Sequence, residues 1–566
     1  MFKIFSTFFK KEISVSPEFF PKTYTVLKEG YSLSTFIKDL QAALLVSVIS
    51  FPLAMALAIA SGCTPDRGLY TSVIAGFFIS LFGGSRHQIA GPTAAFVVVI
   101  YNVTDKFGYE GLVIATLMAG LMLIGAGCCK FGTIIKYLPF SITTGFTTGI
   151  GVMLFVSQFK DLFGLQISKV PGEFLEKLNC FFYNLDTLSW QAIILSVLVL
   201  TIILFLRVKK PKYPAFLIAL IIGTFISLVL SLDVKTIASE FGDIPRTIPM
   251  PHFPNLSLEL IMKLFPSAFT IAFLAGIESL LACVVADSIA GTRHRPNCEL
   301  IAQGVGNFFS VLFGGIPATG AIARTATNVR SGACTPIAGI LHAILIFFVM
   351  LFFAPYIKWI PLSCLASILI VISVHMIDKE RVKYIMSATF GDITVFAVTF
   401  LLTVFLDITI AIEVGTILAI LFFTARMIES TELQISKTES IYGDIQPYEH
   451  GLQILPNEIE MLHIAGPFFF GIASKINDIL HRISETPKVI ILDMKNVPFI
   501  DTSGAFTLKT FVKQASDKKI AIILTSINKN VKHTLSKMGG KQIYGEIIDN
   551  QNKAIERAYQ IKAERT

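Results

Sequence analysis

From residue 39 to residue 425 the chain is a succession of a dozen apolar segments, at 39–60, 68–83, 110–129, 139–158, 190–206, 214–232, 265–288, 299–313, 336–354, 360–376, 391–406 and 408–425. Inside hydrocarbon every backbone N–H and C=O has to find its partner within the protein, so segments of this kind become helices packed side by side. About 20 residues at ~1.5 Å each cross a core of ~30 Å, a length most of these segments approach. With 53% hydrophobic residues, 15% charged residues and a mean hydropathy of +0.69 over 566 residues, an ordinary soluble enzyme is excluded.

The formal charge of +8 does not point to nucleic acid, because of where it sits. Lys3, Lys10, Lys11, Lys22, Lys28 and Lys38 precede the first segment. Further basic residues fall at Lys130 and Lys136, at Arg207, Lys209, Lys210 and Lys212, at Arg293 and Arg295, at Lys379, Arg381 and Lys383, and at Arg426. These loops alternate with poorer ones such as 232–258. The positive-inside pattern places both termini in the cytoplasm of a multi-pass protein of the cell's inner (plasma) membrane. Residues 1–38 lack an apolar core with a small-residue cleavage site, so no secretory signal is expected, and 31–38 reads as an interfacial helix.

Two stretches interrupt the pattern. In Gly314-Gly315-Ile316-Pro317-Ala318-Thr319-Gly320-Ala321-Ile322-Ala323-Arg324, two glycines and a proline break the chain and small residues follow, which suits a helix with Pro317 in its first turn. Such a helix, over about 317–328, reaches only ~15 Å and ends near the bilayer midplane, its free N–H groups and positive dipole end favouring an anion. Gly83-Gly84 followed by Gly91-Pro92-Thr93-Ala94-Ala95-Phe96 has the same grammar and predicts a second half-helix near 92–103. The two prolines are 225 positions apart (317 − 92 = 225), and the long segments before them start 226 apart (265 − 39 = 226). Glycine and proline are common in membrane helices. Matched breaks after matched long segments nonetheless indicate an inverted repeat of about fourteen elements, seven per half, with the binding site between the half-helices.

Glu278 is the lone acid in 265–286, about halfway along. A charged, unpaired carboxylate at that depth is costly, which makes Glu278 the candidate proton-coupling residue; the plainer roles are a structural hydrogen-bonding acid or a fixed partner for Arg324. Arg324, about two turns beyond Pro317, is placed either to offset the charge of an anion or to pair with Glu278. The eight cysteines and nine histidines show no zinc spacing, disulfide framework or nucleophile–base pair, so no metal, cofactor or catalytic residue is expected and the chain is not read as an enzyme.

After Ala425 the texture changes: residues 431–566 hold 17 basic and 15 acidic residues in alternating strand and helix periods. Strands are expected at 489–493 and 520–524 and helices at 505–516, 528–538 and 550–564, a small α/β domain. The organisation is therefore an N-terminal cytoplasmic segment 1–38, a transmembrane domain 39–427, a linker 428–444 and a cytoplasmic domain 445–566.

Several stretches together resemble the SulP family of anion transporters (solute carrier family 26), which end in a STAS domain. They are Pro52-Leu53-Ala54-Met55-Ala56 with Gly68-Leu69-Tyr70, Gly91 to Ala95, Gly276-Ile277-Glu278-Ser279-Leu280-Leu281, Asn307, Pro317 to Arg324, and Asp501-Thr502-Ser503-Gly504. Thr292-Arg293-His294 and Asn328-Val329-Arg330-Ser331-Gly332-Ala333 are similar to the bacterial aerobic dicarboxylate-transporter (DauA-like) branch. The resemblance runs from Asp39 to the C-terminus. It implies a core of the first four and the eighth to eleventh elements, moving elevator-like against a gate, usually in a homodimer. The implied cargo is sulfate, bicarbonate, chloride or a dicarboxylate.

The resemblance also implies that Arg324 stands beside the anion. The surrounding wall would be Thr93, Ala94, Ala95 and Phe96 from one half-helix, Ala321, Ile322 and Ala323 from the other, and Ser50, Phe51 and Leu53 from the first helix. For the small residues, ordinary close packing is the plain alternative. Sodium-coupled bicarbonate members carry hydroxyl residues where this chain resembles them with Ala282 and Ile322; losing two oxygens that a hard cation wants favours protons. One hydroxyl at Ser50 and an apolar Leu53 favour a carboxylate with an apolar spine. Ser503 is similar in position to the phosphorylated serine of anti-sigma-antagonist STAS proteins, or else it caps its helix. Related STAS domains have acyl carrier protein as a partner. The expected function is proton-coupled uptake of sulfate or a four-carbon dicarboxylate, against a bicarbonate/chloride-type exchanger, an uncoupled channel or a voltage-responsive motor. Arg324 and the STAS tail count against a nucleobase symporter.

Overall fold

A proline in mid-helix does not end the first span. In the computed structural model, α1 runs Leu33–Ala60 through Pro52, whose missing N–H leaves the Val48 carbonyl without its helical donor. The structure describes residues 17–135, 139–167, 170–210, 213–406, 408–429, 432–436, 455–456, 458–469, 487–538 and 544–564. Residues 1–16, the greater part of the linker, and Lys136 and Lys212 lie outside the described residues. The expected interfacial helix over 31–38 is corrected: Ser32 caps α1, its Oγ accepting from Thr35 N at 3.2 Å, and 33–38 form the first turns of the span itself. A separate short helix, Lys22–Glu29, precedes it.

The remaining membrane elements are α2 (Pro65–Phe82), β1 (Ala90–Gly91), α3 (Val97–Cys128), α4 (Phe140–Ser157), α5 (Trp190–Lys209), α6 (Ala215–Val229), α7 (Leu258–Ala290), α8 (Pro296–Leu312), β2 (Thr319–Gly320), α9 (Ile322–Arg330), α10 (Ile337–Ile357), α11 (Leu362–Met376), α12 (Phe390–Phe405) and α13 (Ile408–Glu429). Among the described residues eight helices are long and apolar enough to cross a membrane, and α6 and α12 are shorter apolar ones. α3 is two pieces: Gly108, at φ 69° and ψ −175°, breaks it into a half-helix over 97–107 and a span over 109–128. A side chain there would be strained by the positive φ. The repeat is visible in the starts: α1 and α7 begin 225 residues apart (258 − 33), and so do the two half-helices (322 − 97).

The helices pack in two sets. α1, α2, α3, α7, α8, α9 and α10 contact one another, while α4, α5, α6, α11 and α12 do the same, and α1 touches α6 and α11 across the boundary. Backbones come close where glycines allow it: a Cβ on Gly304 of α8 would fall 2.5 Å from the Gly120 carbonyl of α3, and one on Gly68 of α2 would fall 2.0 Å from the Ala54 carbonyl of α1.

The chain divides into two compact units, Met1–Ala419 and Ile420–Thr566. In the second, β3 (Glu432–Ser436), β4 (Ile459–Ala465), β5 (Val489–Asn496), β6 (Ala521–Thr525) and β7 (Glu546–Ile548) form one sheet in that order; β3 is antiparallel to β4 and the rest are parallel. Helices α14 (Thr502–Asp517), α15 (Lys529–Lys537) and α16 (Gln551–Glu564) connect or follow the strands. Alternate residues of β5 serve opposite faces. Ile490 and Leu492 pack with Leu508 and Phe511 of α14, whereas Val489 and Ile491 pack with Ile555 and Ala558 of α16. Asp501, not Ser503, caps α14, its Oδ1 accepting from Gly504 N at 2.6 Å; Asp501 stands just before the helix, whereas Ser503 already lies in its first turn and is exposed.

Candidate functional site

Both interrupted stretches enter as strands before they turn helical. Ala90 pairs with Gly320 and Gly91 with Thr319, antiparallel, where the two halves of the membrane unit meet. Pro317 is therefore not in the first turn of the second half-helix, which begins five residues later, at Ile322. The reason is that neighbours claim the backbone in its extended form. Asn307 of α8 takes both sides of Ala318, accepting from its N–H at 2.8 Å and donating to its carbonyl at 2.8 Å. Thr71 accepts from Ile316 N at 2.7 Å, Ser279 of α7 from Gly320 N at 2.9 Å, and the Ile89 carbonyl from Ala321 N at 2.9 Å. Each of these would compete with helical pairing.

This shift puts Arg324 in the first turn of α9. It is 3% exposed, and its Nη2 donates to the Pro92 carbonyl at the entrance of the other half-helix. Its Nε and Nη1 have no hydrogen-bond partner among the described residues. The guanidinium lies against Gly91, where an added Cβ would meet Nη1 at 2.7 Å, so the glycine is what lets the arginine reach across. Arg324 forms no ion pair with Glu278 among the described residues; the proposed structural pair is absent.

Glu278 instead accepts from Thr93 Oγ1 at 3.2 Å. Thr93 is the residue that precedes the turn Ala94–Phe96, and its hydroxyl does not cap that turn because it is directed at the acid. Neither Thr93 nor Ala321 caps the helix start that follows it with its side chain, although Phe96 N and Val97 N of the first start donate back to the Thr93 and Ala94 carbonyls. Arginine donors, two helix starts and a carboxylate thus converge on the place where β1 and β2 cross.

The other expected wall residues are distributed unevenly. Phe51 shares an apolar cluster with Ala94, and Leu53 packs against that cluster. Ala95 and Phe96 are buried, Phe96 completely. Ala321 is buried, whereas Ile322 (37% exposed) and Ala323 are exposed in the first turn of α9. Ser50 is fully buried, and its hydroxyl has no partner among the described residues. Ala282 is buried and offers no oxygen, and Ile322 offers none either.

Several polar residues around this junction escaped the reading of the sequence. Ser279 bonds Thr319 Oγ1 at 2.7 Å, and Gln88 Nε2 donates to the Ser279 carbonyl at 3.2 Å. Ser47 of α1 meets His342 Nδ1 of α10 at 2.9 Å, and Asp39 accepts from Cys334 N and Thr335 N at 2.7 and 3.1 Å. The available signal was a polar residue inside an apolar segment, which marks such positions but not their partners.

With this geometry in place, comparison with known proteins is informative. Residues 36–399 match the sulfate permease family and residues 455–554 the STAS domain. The chain belongs to the sulfate permease family. It is 39% identical over 513 residues to YvdB of Bacillus subtilis (strain 168), named provisionally as a sulfate transporter, covering 90% of this chain and 95% of that one. The transmembrane domain of a cyanobacterial bicarbonate transporter, BicA, superposes with a TM-score of 0.60 at 29% identity, over 69% of this chain and 98% of that one. Murine Slc26a9, an anion transporter solved in the inward-facing state, shares the fold with a TM-score of 0.84 at 19% identity, over 99% and 98%. The chain is accordingly a polytopic membrane anion transporter with a STAS domain, and not an enzyme.

Proposed function

We propose that the chain is a secondary active carrier that takes up sulfate or a four-carbon dicarboxylate together with protons. The observation that carries this reading is Arg324: a buried guanidinium with two unused donors, held at the junction of two uncapped half-helices. Such an arrangement is completed by an anion that accepts from both. Glu278, a hydroxyl's reach from the first half-helix, is the group that takes up the proton, and the missing oxygens at Ala282 and Ile322 speak against a sodium site. In this reading the set α1–α3 with α7–α10 is the core, the other set is the gate, and the stroke is elevator-like.

The same proposal places the protein in the plasma membrane with both termini cytoplasmic, as a homodimer; of the expected boundaries 1–38, 39–427, 428–444 and 445–566, the first moves to Leu33, where α1 starts, and the last domain gains β3 from the expected linker. Ser503, exposed in the first turn of α14, is a phosphorylation site where added charge meets a helix start, and the STAS domain is a docking module for a cytosolic partner such as acyl carrier protein. The likeness to a bicarbonate transporter supports one second reading, a bicarbonate/chloride-type exchanger. Uptake of labelled sulfate, succinate and bicarbonate into proteoliposomes, with and without an inward proton gradient, separates these. Gradient-driven uptake that Glu278→Gln uncouples is the expected result; flux indifferent to both gradient and mutation rejects proton coupling.

A further inference from the structure

Near the end of α1, a cavity of about 260 Å³ lies between the first half-helix, whose opening residues Val97 and Val98 line it, and the segments that follow α4. Tyr101 and Asn102 line it from the half-helix, Lys160 and Asp161 from the turn after α4, Lys177 from the helix Phe174–Tyr183, and Glu240 from the helix Ile237–Phe241. Lys177 is 7% exposed, and among the described residues no acid or carbonyl accepts from its amine. Its one partner is the Tyr101 ring, 5.3 Å from Nζ to the centroid. Neither acid of the cavity pairs with Lys177 among the described residues: Glu240 pairs with Lys160 at 3.8 Å and Lys235 at 3.6 Å, and Asp161 forms no ion pair. Burial alone pushes the Lys177 amine down to about 8.

A buried ammonium without a counterion is an expensive arrangement unless something anionic shares the space. The space is adequate: at about 30 Å³ of liquid volume per water, it holds a tetrahedral oxyanion or a short carboxylate with several waters. We propose that this cavity is a second anion site, separate from Arg324, in which Lys177 holds a small oxyanion or carboxylate against the Tyr101 ring edge and the Asn102 amide. The site is also conditional on conformation. Tyr101 OH donates to the Val170 carbonyl at 2.5 Å, so the half-helix and the opposite wall build it only while they are in contact. An occupant therefore favours the arrangement in which this end is closed.

The test uses the full-length protein in nanodiscs, where both faces are accessible. It is acetylated briefly with acetic anhydride at pH 8, and modification of Lys177 is read by peptide mass spectrometry. Sulfate, succinate or chloride is the competitor, with gluconate at equal ionic strength as the control. Acetylation of Lys177 is expected to slow about tenfold at ten times the dissociation constant of the bound anion, because only the empty fraction reacts. The protection is expected to persist in Arg324→Gln. Absence of protection by all three anions overturns the site, and loss of protection in Arg324→Gln shows that Lys177 only reports the first one. The choice of probes rests on the anion-carrier reading, yet the two fail separately: uptake without protection removes only the second site, and protection without uptake removes only the carrier mechanism proposed above.

Discussion

The two half-helices start at matching places in the repeat and are made of opposite materials. Residues 97–107 open with Val97, Val98, Val99 and Ile100, all buried, and carry no charge before Asp105. α9 buries Arg324, Thr325 and Asn328 and exposes Ile322 and Ala323 in its first turn. The first half-helix has its acid supplied from outside, through Thr93 and Glu278; the second brings its own cation and lends it to the first through the Pro92 carbonyl. The lesson is that inverted repetition of a backbone brings the two half-helices together, while one half supplies both charges at their junction. Both the acid and the arginine come from the second repeat.

The sharpest way to break this comparison is Arg324→Gln, which removes the lent charge and leaves the backbone cross intact. Transport is expected to fall at least about 30-fold, in line with the roughly 2 kcal/mol or more that loss of a buried charge partner costs, as read by initial uptake rates in proteoliposomes. Gly91→Ala comes next. Its methyl would meet Nη1 at 2.7 Å, so the guanidinium has to move and uptake is expected to drop about tenfold, since misplacing a contact by about 1 Å is costly to a preorganised site. Thr93→Val severs the hydroxyl contact with Glu278 while keeping volume. A two- to fivefold loss of gradient-driven uptake is expected, about the worth of one ordinary hydrogen bond between uncharged groups, with gradient-free exchange unchanged. The smallest effect belongs to Val98→Ala in the apolar half-helix, where a rate within about twofold of wild type and a slightly lower melting temperature are expected, consistent with a packing role. A large transport defect there would show that the first half-helix contributes more than position.

Much of the fold was legible because hydropathy is a local signal. Each of the fourteen expected elements falls on a helix or half-helix, and the strands at 489–493 and 520–524 lie within or overlap β5 and β6. Two of the errors share a cause, a partner far away in sequence, and the third is a local shift of a helix start. Pro317 looks like a helix start until Asn307, Thr71 and Ser279 claim the backbone around it. Residues 31–38 look interfacial until Asp39 is seen to hold Cys334 and Thr335, which anchors α1 from its first turns. Ser503 looks like a cap until Asp501 takes the Gly504 N–H. In the site, Glu278 and Arg324 were conspicuous as charges in apolar surroundings, but their separate partners, Thr93 and Pro92, were not. Lys177 gave no signal at all, since a lysine in a loop reads as solvated.

The short ladder of β1 and β2 also bears on how the protein is made. It joins residues 228 and 230 positions apart (319 − 91 and 320 − 90), so it cannot form until the second repeat has left the ribosome and entered the bilayer. Until then the first half-helix waits in the membrane without its strand partner or its arginine. A nascent chain arrested before residue 320 would hold α1–α8 with Thr93 and Glu278, and would lack the ladder and Arg324.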